Sequence, residues 1–152
     1  MRRSDKEITD RQEVEAVIQR AQVCRLAMCL GEEPYVVPLN FGYREGKVYF
    51  HSAKEGRKIE TIRANPRVCF EVDLDHQVVT ADKACNFGFK FKSVIGFGRA
   101  SLVEDKVEKE AALKVIMDHY SDGPHQFESK DIDRVAVFKV ELESLTGKRA
   151  KD

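Results

Sequence analysis

The residues best equipped for chemistry lie in one stretch, KVYFHSAKEGRKIETIRANPRVCFEV, residues 47–72. A strand pattern ending Phe50-His51-Ser52 leads through Gly56 into Arg57, Lys58 and a short helical pattern, which stops before Asn65-Pro66 because the residue preceding proline avoids helical angles. Arg57 can fork two N–H groups onto an oxyanion, and Lys58 adds a second charge. A helix start offers unpaired N–H groups and the positive end of the dipole. Ser52 supplies a hydroxyl and His51 a ring nitrogen from the adjacent strand end. A basic pair at a helix start is most often simply solvated, yet there it opposes the dipole. That unfavourable placement makes an anionic partner the expectation.

A second stretch, Val37-Pro38-Leu39-Asn40, offers a flat apolar surface with backbone groups beside it. Pro38 removes a ladder donor, so it marks a strand edge, a bulge or a place where a ligand replaces the neighbouring strand. The plainer reading is a buried strand with one edge proline. The remaining reactive types are scattered. Cys24 and Cys29 fall five residues apart in one strand pattern and so point to opposite faces. Cys69 reads as a small core hydrophobe, and Cys85 lies in a polar stretch. No CxxC pair exists, so no metal site is expected. His119 lies off its helix stripe and is expected to be solvated; His125 follows a Gly-Pro turn. His76 shares the aperiodic segment 74–90 with Cys85. Phe87, Phe89 and Phe91 alternate and are expected to fill a barrel core. No general acid or nucleophile stands out, so no catalytic residue is assigned.

These residues are positioned by an ordinary globular chain. Of its 152 residues, 42% are hydrophobic and 34% charged, with 26 basic and 26 acidic side chains. Zero formal net charge gives no general attraction to nucleic acid or acidic membranes. No apolar run approaches the ~20 residues of a membrane span. MRRSDKEITDRQEVE lacks the apolar stretch of a signal peptide, and a cytoplasmic location is expected. A single domain over residues 1–152 is the simplest division. Residues 10–22 carry a helical stripe of Val14, Val17, Ile18 and Ala21, with Asp10/Glu13 or Thr9/Gln12 as its start. VCRLAMCL and YVVPLNFGY read as strands around a GEEP turn, followed by KVYFHS, RVCFEVD and SVIGFGRASLV, whose glycines permit a bulge. Residues 105–120 read as a second long helix, 121–133 as loop, and RVAVFKVELESLTG as the last strand. Too few crossovers exist for a parallel sheet. The pattern predicts a mainly β protein with flanking helices, an antiparallel sheet of five or six strands closing into a small barrel.

The run VYFHSAKEGRKIETIRANPRVCFEV resembles the strand, phosphate loop and helix of pyridoxamine 5'-phosphate oxidase-like flavoproteins. PYVVPLNFGY, SVIGFGRA, the EKxxAL pattern of the late helix and the terminal TGK resemble the nitroimidazole-resistance (Nim) proteins of that superfamily. The resemblance implies a six-stranded split barrel that binds FMN between the two subunits of a homodimer. It also implies a site drawn from Val37, Pro38, Leu39, Asn40, His51, Ser52, Arg57, Lys58 and Ser93. The phosphate would meet Arg57, Lys58, Ser52 and His51, and the ring would lie along residues 37–40. Relatives with oxidase activity carry Lys where this chain has Asn40, and they extend into a substrate-binding segment beyond the point where this sequence stops. Pyridoxal-phosphate synthesis is therefore not the expected activity. An FMN-dependent reductase of small electron-poor molecules leads, with the chemistry residing in the cofactor. Two other uses of the barrel stay open: a non-catalytic flavin-binding or redox-sensing protein, and haem binding with His51 or His76 as axial ligand. Deazaflavin is a further cofactor of split-barrel relatives.

Overall fold

Alternating apolar residues carry most of the chain into strands, and three- and four-residue spacing carries the rest into helices. The computed structural model describes residues 3–150. In chain order the elements are β1 (Glu7–Ile8), α1 (Arg11–Arg20), β2 (Cys24–Leu30), β3 (Glu33–Leu39), β4 (Gly42–Arg44), β5 (Lys47–Ser52) and α2 (Arg57–Ala64). Then follow β6 (Arg67–Val79), β7 (Gly88–Val103), α3 (Lys106–Asp118), α4 (Ser129–Arg134) and β8 (Ala136–Ala150). Asp10 accepts from the Gln12 amide at 2.9 Å, so α1 starts from Asp10, and Val14, Val17 and Ile18 are buried as the stripe predicts. Asp105 caps α3 through the Glu108 amide. Each such cap contributes about 0.5–2 kcal/mol.

All pairings are antiparallel, and one eight-stranded sheet runs β3-β2-β6-β7-β8-β5-β4, with β1 added against β8. The sheet curls into the split-barrel fold, but its hydrogen-bonded ladder does not close. This corrects the expected six strands and full closure. YVVPLNFGY is two strands, β3 and β4, which are the two opposite edges of the sheet. Only Asn40 and Phe41 lie between them. The chain thus crosses the barrel's seam covalently at the point where the ladder leaves it open. The Phe41 amide, which no strand pairs, donates to the Tyr120 hydroxyl at 2.9 Å, and that hydroxyl donates to the Gln22 carbonyl at 2.7 Å.

Inside the barrel, Phe41 meets Phe70 edge-on at 5.6 Å and Phe50 stacks on Phe138 at 4.9 Å; all four are fully buried. Each contributes roughly 1.5–3 kcal/mol by burial. A smaller cluster under α3 and α4 joins Val103, Leu113, Ile116, Ile132 and Val137 to Tyr49, Phe127 and Val135. Several expectations need correction. The 121–133 loop contains the start of α4, whose single buried residue, Ile132, gives too little periodicity to register. The segment 74–90 is mostly strand. β6 and β7 extend into a hairpin arm whose regularity is broken where the register shifts between Leu74 and Gln77, with Asp75 at φ 59°. A one-residue slip there sends the following side chains to the other face and breaks the period-two signal. Cys69 lies on the face opposite Val68 and Phe70 and is only half-buried. Phe87 and Phe89 are about half exposed rather than core. His119 is not solvated: its Nε2 donates to the Ala21 carbonyl at 2.6 Å and its ring lies 4.4 Å from Phe41. The bulge anticipated from the glycines of β7 falls between Phe97 and Gly98. Among the described residues no helix is long and apolar enough to cross a membrane.

The seam is held by close packing of α3 on β4. A Cβ at Gly42 would stand 2.5 Å from the Val115 carbonyl oxygen and 2.6 Å from the Ile116 amide, both backbone atoms. Gly42→Ala should therefore destabilise by about 1–3 kcal/mol through overpacking, read as a lowered urea midpoint. An unchanged midpoint would show that α3 does not clamp this edge.

Candidate functional site

The corner predicted from residues 47–72 forms where β5 ends and α2 begins. Val48 and Phe50 point into the barrel, which turns Tyr49 and His51 outward towards α3 and α4, as alternation requires. Gly56, the residue capping α2, has φ 118°, a conformation natural to glycine, and no side chain caps the helix. The first helical bond runs from Glu60 to the Gly56 carbonyl, which leaves the amides of Arg57, Lys58 and Ile59 free of a capping acceptor. Arg57 is exposed and lies 4.5 Å over the ring of Tyr35, a cation–π contact that ties the start of α2 to β3. Lys58 is half-buried, and burial lowers its pKa. Ser52 turns its hydroxyl onto the Ala53 carbonyl at 2.8 Å.

His51 is the most constrained member. Burial first, and the Lys58 charge second, lower its pKa below the ordinary 6.5. Its Nδ1 is buried without a hydrogen-bond partner among the described residues. The ring borders a recess of about 210 Å³ whose other walls are Leu113, Ile116, Met117, Phe127 and Val135, with Asp131 at the rim. A neutral imidazole with an unpaired nitrogen against an apolar recess is suited to one hydrogen bond with a bound molecule.

The other candidates divide by face and distance. β3 is an edge strand. Val37 and Leu39 lean onto the barrel core, whereas Pro38 and Asn40 are exposed. Pro38 pairs with Arg25 at this edge, where a missing donor on the outer side breaks no ladder. Arg57 on Tyr35 brings the cationic corner beside this strand. Ser93 does not join them within one chain. It lies on β7 opposite Asp73 and Lys148, three strand spacings or about 14 Å from β3. Tyr35 and the recess walls were not singled out in the sequence. Tyr35 was legible in principle, since it shares the alternation of Val37 and Leu39; the recess draws on three separate elements and leaves no local signal.

Because burial is the larger influence on His51, Lys58→Met should raise its pKa only part of the way back to 6.5. A folded-state pKa below the unfolded one means that His51 favours the fold above pH 6.5 and that this contribution is lost as pH falls through the folded pKa. NMR titration of the ring reads both effects. A wild-type midpoint at or above 6.5 would contradict the assigned surroundings.

Comparison with known proteins bears on the family and the fold. The profile of the pyridoxamine 5'-phosphate oxidase family matches residues 10–149. A candidate 5-nitroimidazole antibiotic resistance protein of Bacteroides thetaiotaomicron superposes with a TM-score of 0.84 at 34% identity, over 96% of this chain and 90% of that one. A FAD-binding protein of Mesorhizobium loti superposes with a TM-score of 0.70 at 30% identity, over 93% and 96% of the two chains. The uncharacterized protein RA0666 of Rhizobium meliloti is 30% identical over 92 residues, 60% of this chain and only 54% of the relative. With the profile spanning α1 to the last strand, and with the corner at Gly56 and the edge strand at Pro38 both inside it, this chain belongs to the pyridoxamine 5'-phosphate oxidase family.

Proposed function

We propose that this protein binds FMN as a cytoplasmic homodimer and uses it to reduce small electron-poor molecules, nitroimidazole-like compounds among them. The observation that carries the reading is the uncapped start of α2, where free amides, Arg57 and Lys58 converge beside the edge strand β3. A phosphate monoester carrying close to two charges answers all three. Its charge offsets the repulsion between two cations and the helix dipole, and its oxygens accept from amides that lack a partner. Val37, Pro38, Leu39 and Asn40 would offer the ring of the flavin a flat wall and a line of backbone groups. His51, neutral near pH 7, would donate or accept one hydrogen bond without adding charge. A bound flavin supplies the electrons, and the chain supplies binding, orientation and exclusion of water. The FAD-binding Mesorhizobium loti protein supports flavin binding on this fold, and the candidate 5-nitroimidazole resistance protein of Bacteroides thetaiotaomicron supports the substrate class. Asn40 adds no positive charge at the wall, which favours reduction of a neutral substrate over oxidation of a phosphorylated one.

The second chain is part of the proposal. Pairing aligns Val36, Ala27, Cys69 and Phe97 in one row across β3, β2, β6 and β7 on the outer face of the sheet. The next row holds Pro38, Arg25, Glu71 and Ile95. Val36 is 61% exposed and Phe97 45% exposed, and Phe89 continues the apolar line along β7 at 47%. Large exposed apolar side chains gathered on one face, here around the paired charges of Arg25 and Glu71, mark an interaction surface. A two-fold copy would cover it and bring Ser93 of each chain towards the other's flavin.

Arg57→Ala with Lys58→Ala should weaken FMN binding by about a hundredfold or more, since two charge-assisted bonds are lost. Flavin fluorescence titration reads this directly; equal affinity would remove the phosphate assignment. Reduced-flavin turnover of a nitroaromatic then divides a reductase from a passive flavin binder. Light scattering should give a dimer for the wild type and a monomer with little flavin for Phe97→Glu. A wild-type monomer holding one FMN per chain would end the shared-site reading.

A further inference from the structure

A second recess, lined from the loop after β5, the end of α2 and the start of α3, lies outside the residues assigned to the flavin. It measures about 260 Å³ and is walled by Leu102, Val103, Val135, Ala136 and Val137, with Lys54, Arg63, Lys109 and Glu104 around it. Three cations against one carboxylate leave a surplus of two positive charges around the apolar floor of a partly enclosed recess. Lys109 is fixed there by donating to the Val135 carbonyl at 2.8 Å, which leaves two of its N–H groups free. Lys54 and Arg63 have no ion pair among the described residues, although six of the other lysines and seven of the other arginines do. Asp133, a further carboxylate that feels the charges of Lys54 and Lys109, is already held by Lys106. Like charges drawn together on an apolar floor repel one another more than in open water. An anion between them removes that repulsion.

We infer that this recess is a binding site for a small dianion of the phosphate or diphosphate class. The Arg63 guanidinium can engage two oxygens at once, and the two ammonium groups can reach the others. The three cations come from different elements, the loop after β5, the end of α2 and the first turn of α3, so an anion here would also pin α2 to α3.

The test is calorimetric titration of the full-length protein with inorganic phosphate and with pyrophosphate, at ionic strength held constant with sodium chloride. Wild type should bind one equivalent at this recess, and Lys54→Ala with Arg63→Ala should weaken it by about a hundredfold. Both side chains are exposed or unpaired, so circular dichroism should show the fold retained. Arg57→Ala with Lys58→Ala should leave this binding unchanged, which separates the recess from the proposed flavin phosphate site. Absence of binding to wild type, or binding that survives the Lys54/Arg63 change and vanishes with the Arg57/Lys58 change, would overturn the inference.

Discussion

The molecule is organised by a seam. β3 and β4 are the two edges of a single antiparallel sheet, and the chain passes from one to the other through Asn40 and Phe41. The three Cα–Cα steps from Leu39 to Gly42 span at most about 11 Å, so the edges must lie near each other even though no ladder joins them. That constraint curls the sheet and buries the Phe41 ring against Phe70. It also leaves backbone groups that strands cannot satisfy. The Tyr120 hydroxyl, just past the end of α3, answers the Phe41 amide and the Gln22 carbonyl at once. Gly42 admits the α3 backbone against the same edge. The outer side of β3 stays open, and the candidate ring wall lies along it.

Charge placement follows from the same geometry. β5 delivers His51 and Ser52 to the rim while its alternate residues Val48 and Phe50 anchor the barrel. The turn through Gly56 then starts α2 with two cations and no cap. An exposed basic pair of this kind is ordinarily neutral in its consequences, because water screens it. Here Lys58 is half-buried and its ammonium sits close enough to His51 to disfavour a second positive charge. The side chains and the helix dipole thus repel one another in the free chain, and an anion bound there, as proposed, would offset that repulsion.

Much of this was legible from spacing. The stripe of α1, the strand KVYFHS, the stop before Asn65-Pro66 and the cationic start of α2 are local patterns, and each falls in the structure within a residue or two of its expected bounds. What escaped was non-local. The division of YVVPLNFGY into two opposite edges is a matter of pairing partners, not of residue type. The β6–β7 arm was hidden by the register slip between Leu74 and Gln77, where Arg20 clasps Asp75 from another element. His119 looked solvated because it lies off its helix stripe, yet the neighbouring seam supplies both a carbonyl and an aromatic ring for it. Alternation of Phe87, Phe89 and Phe91 placed them on one face without saying whether that face is core. The structure turns that face outward, in line with Ile95 and Phe97.

The central claim is that the edge strand β3 and the β5–α2 corner form one cofactor surface. Amide hydrogen exchange read by mass spectrometry, with and without FMN, tests it most directly. The account predicts slowed exchange in two separate segments, residues 35–40 and residues 51–59, with the amides of Arg57, Lys58 and Ile59 most protected. Protection confined to other strands, or no change in either segment at saturating FMN, would contradict it.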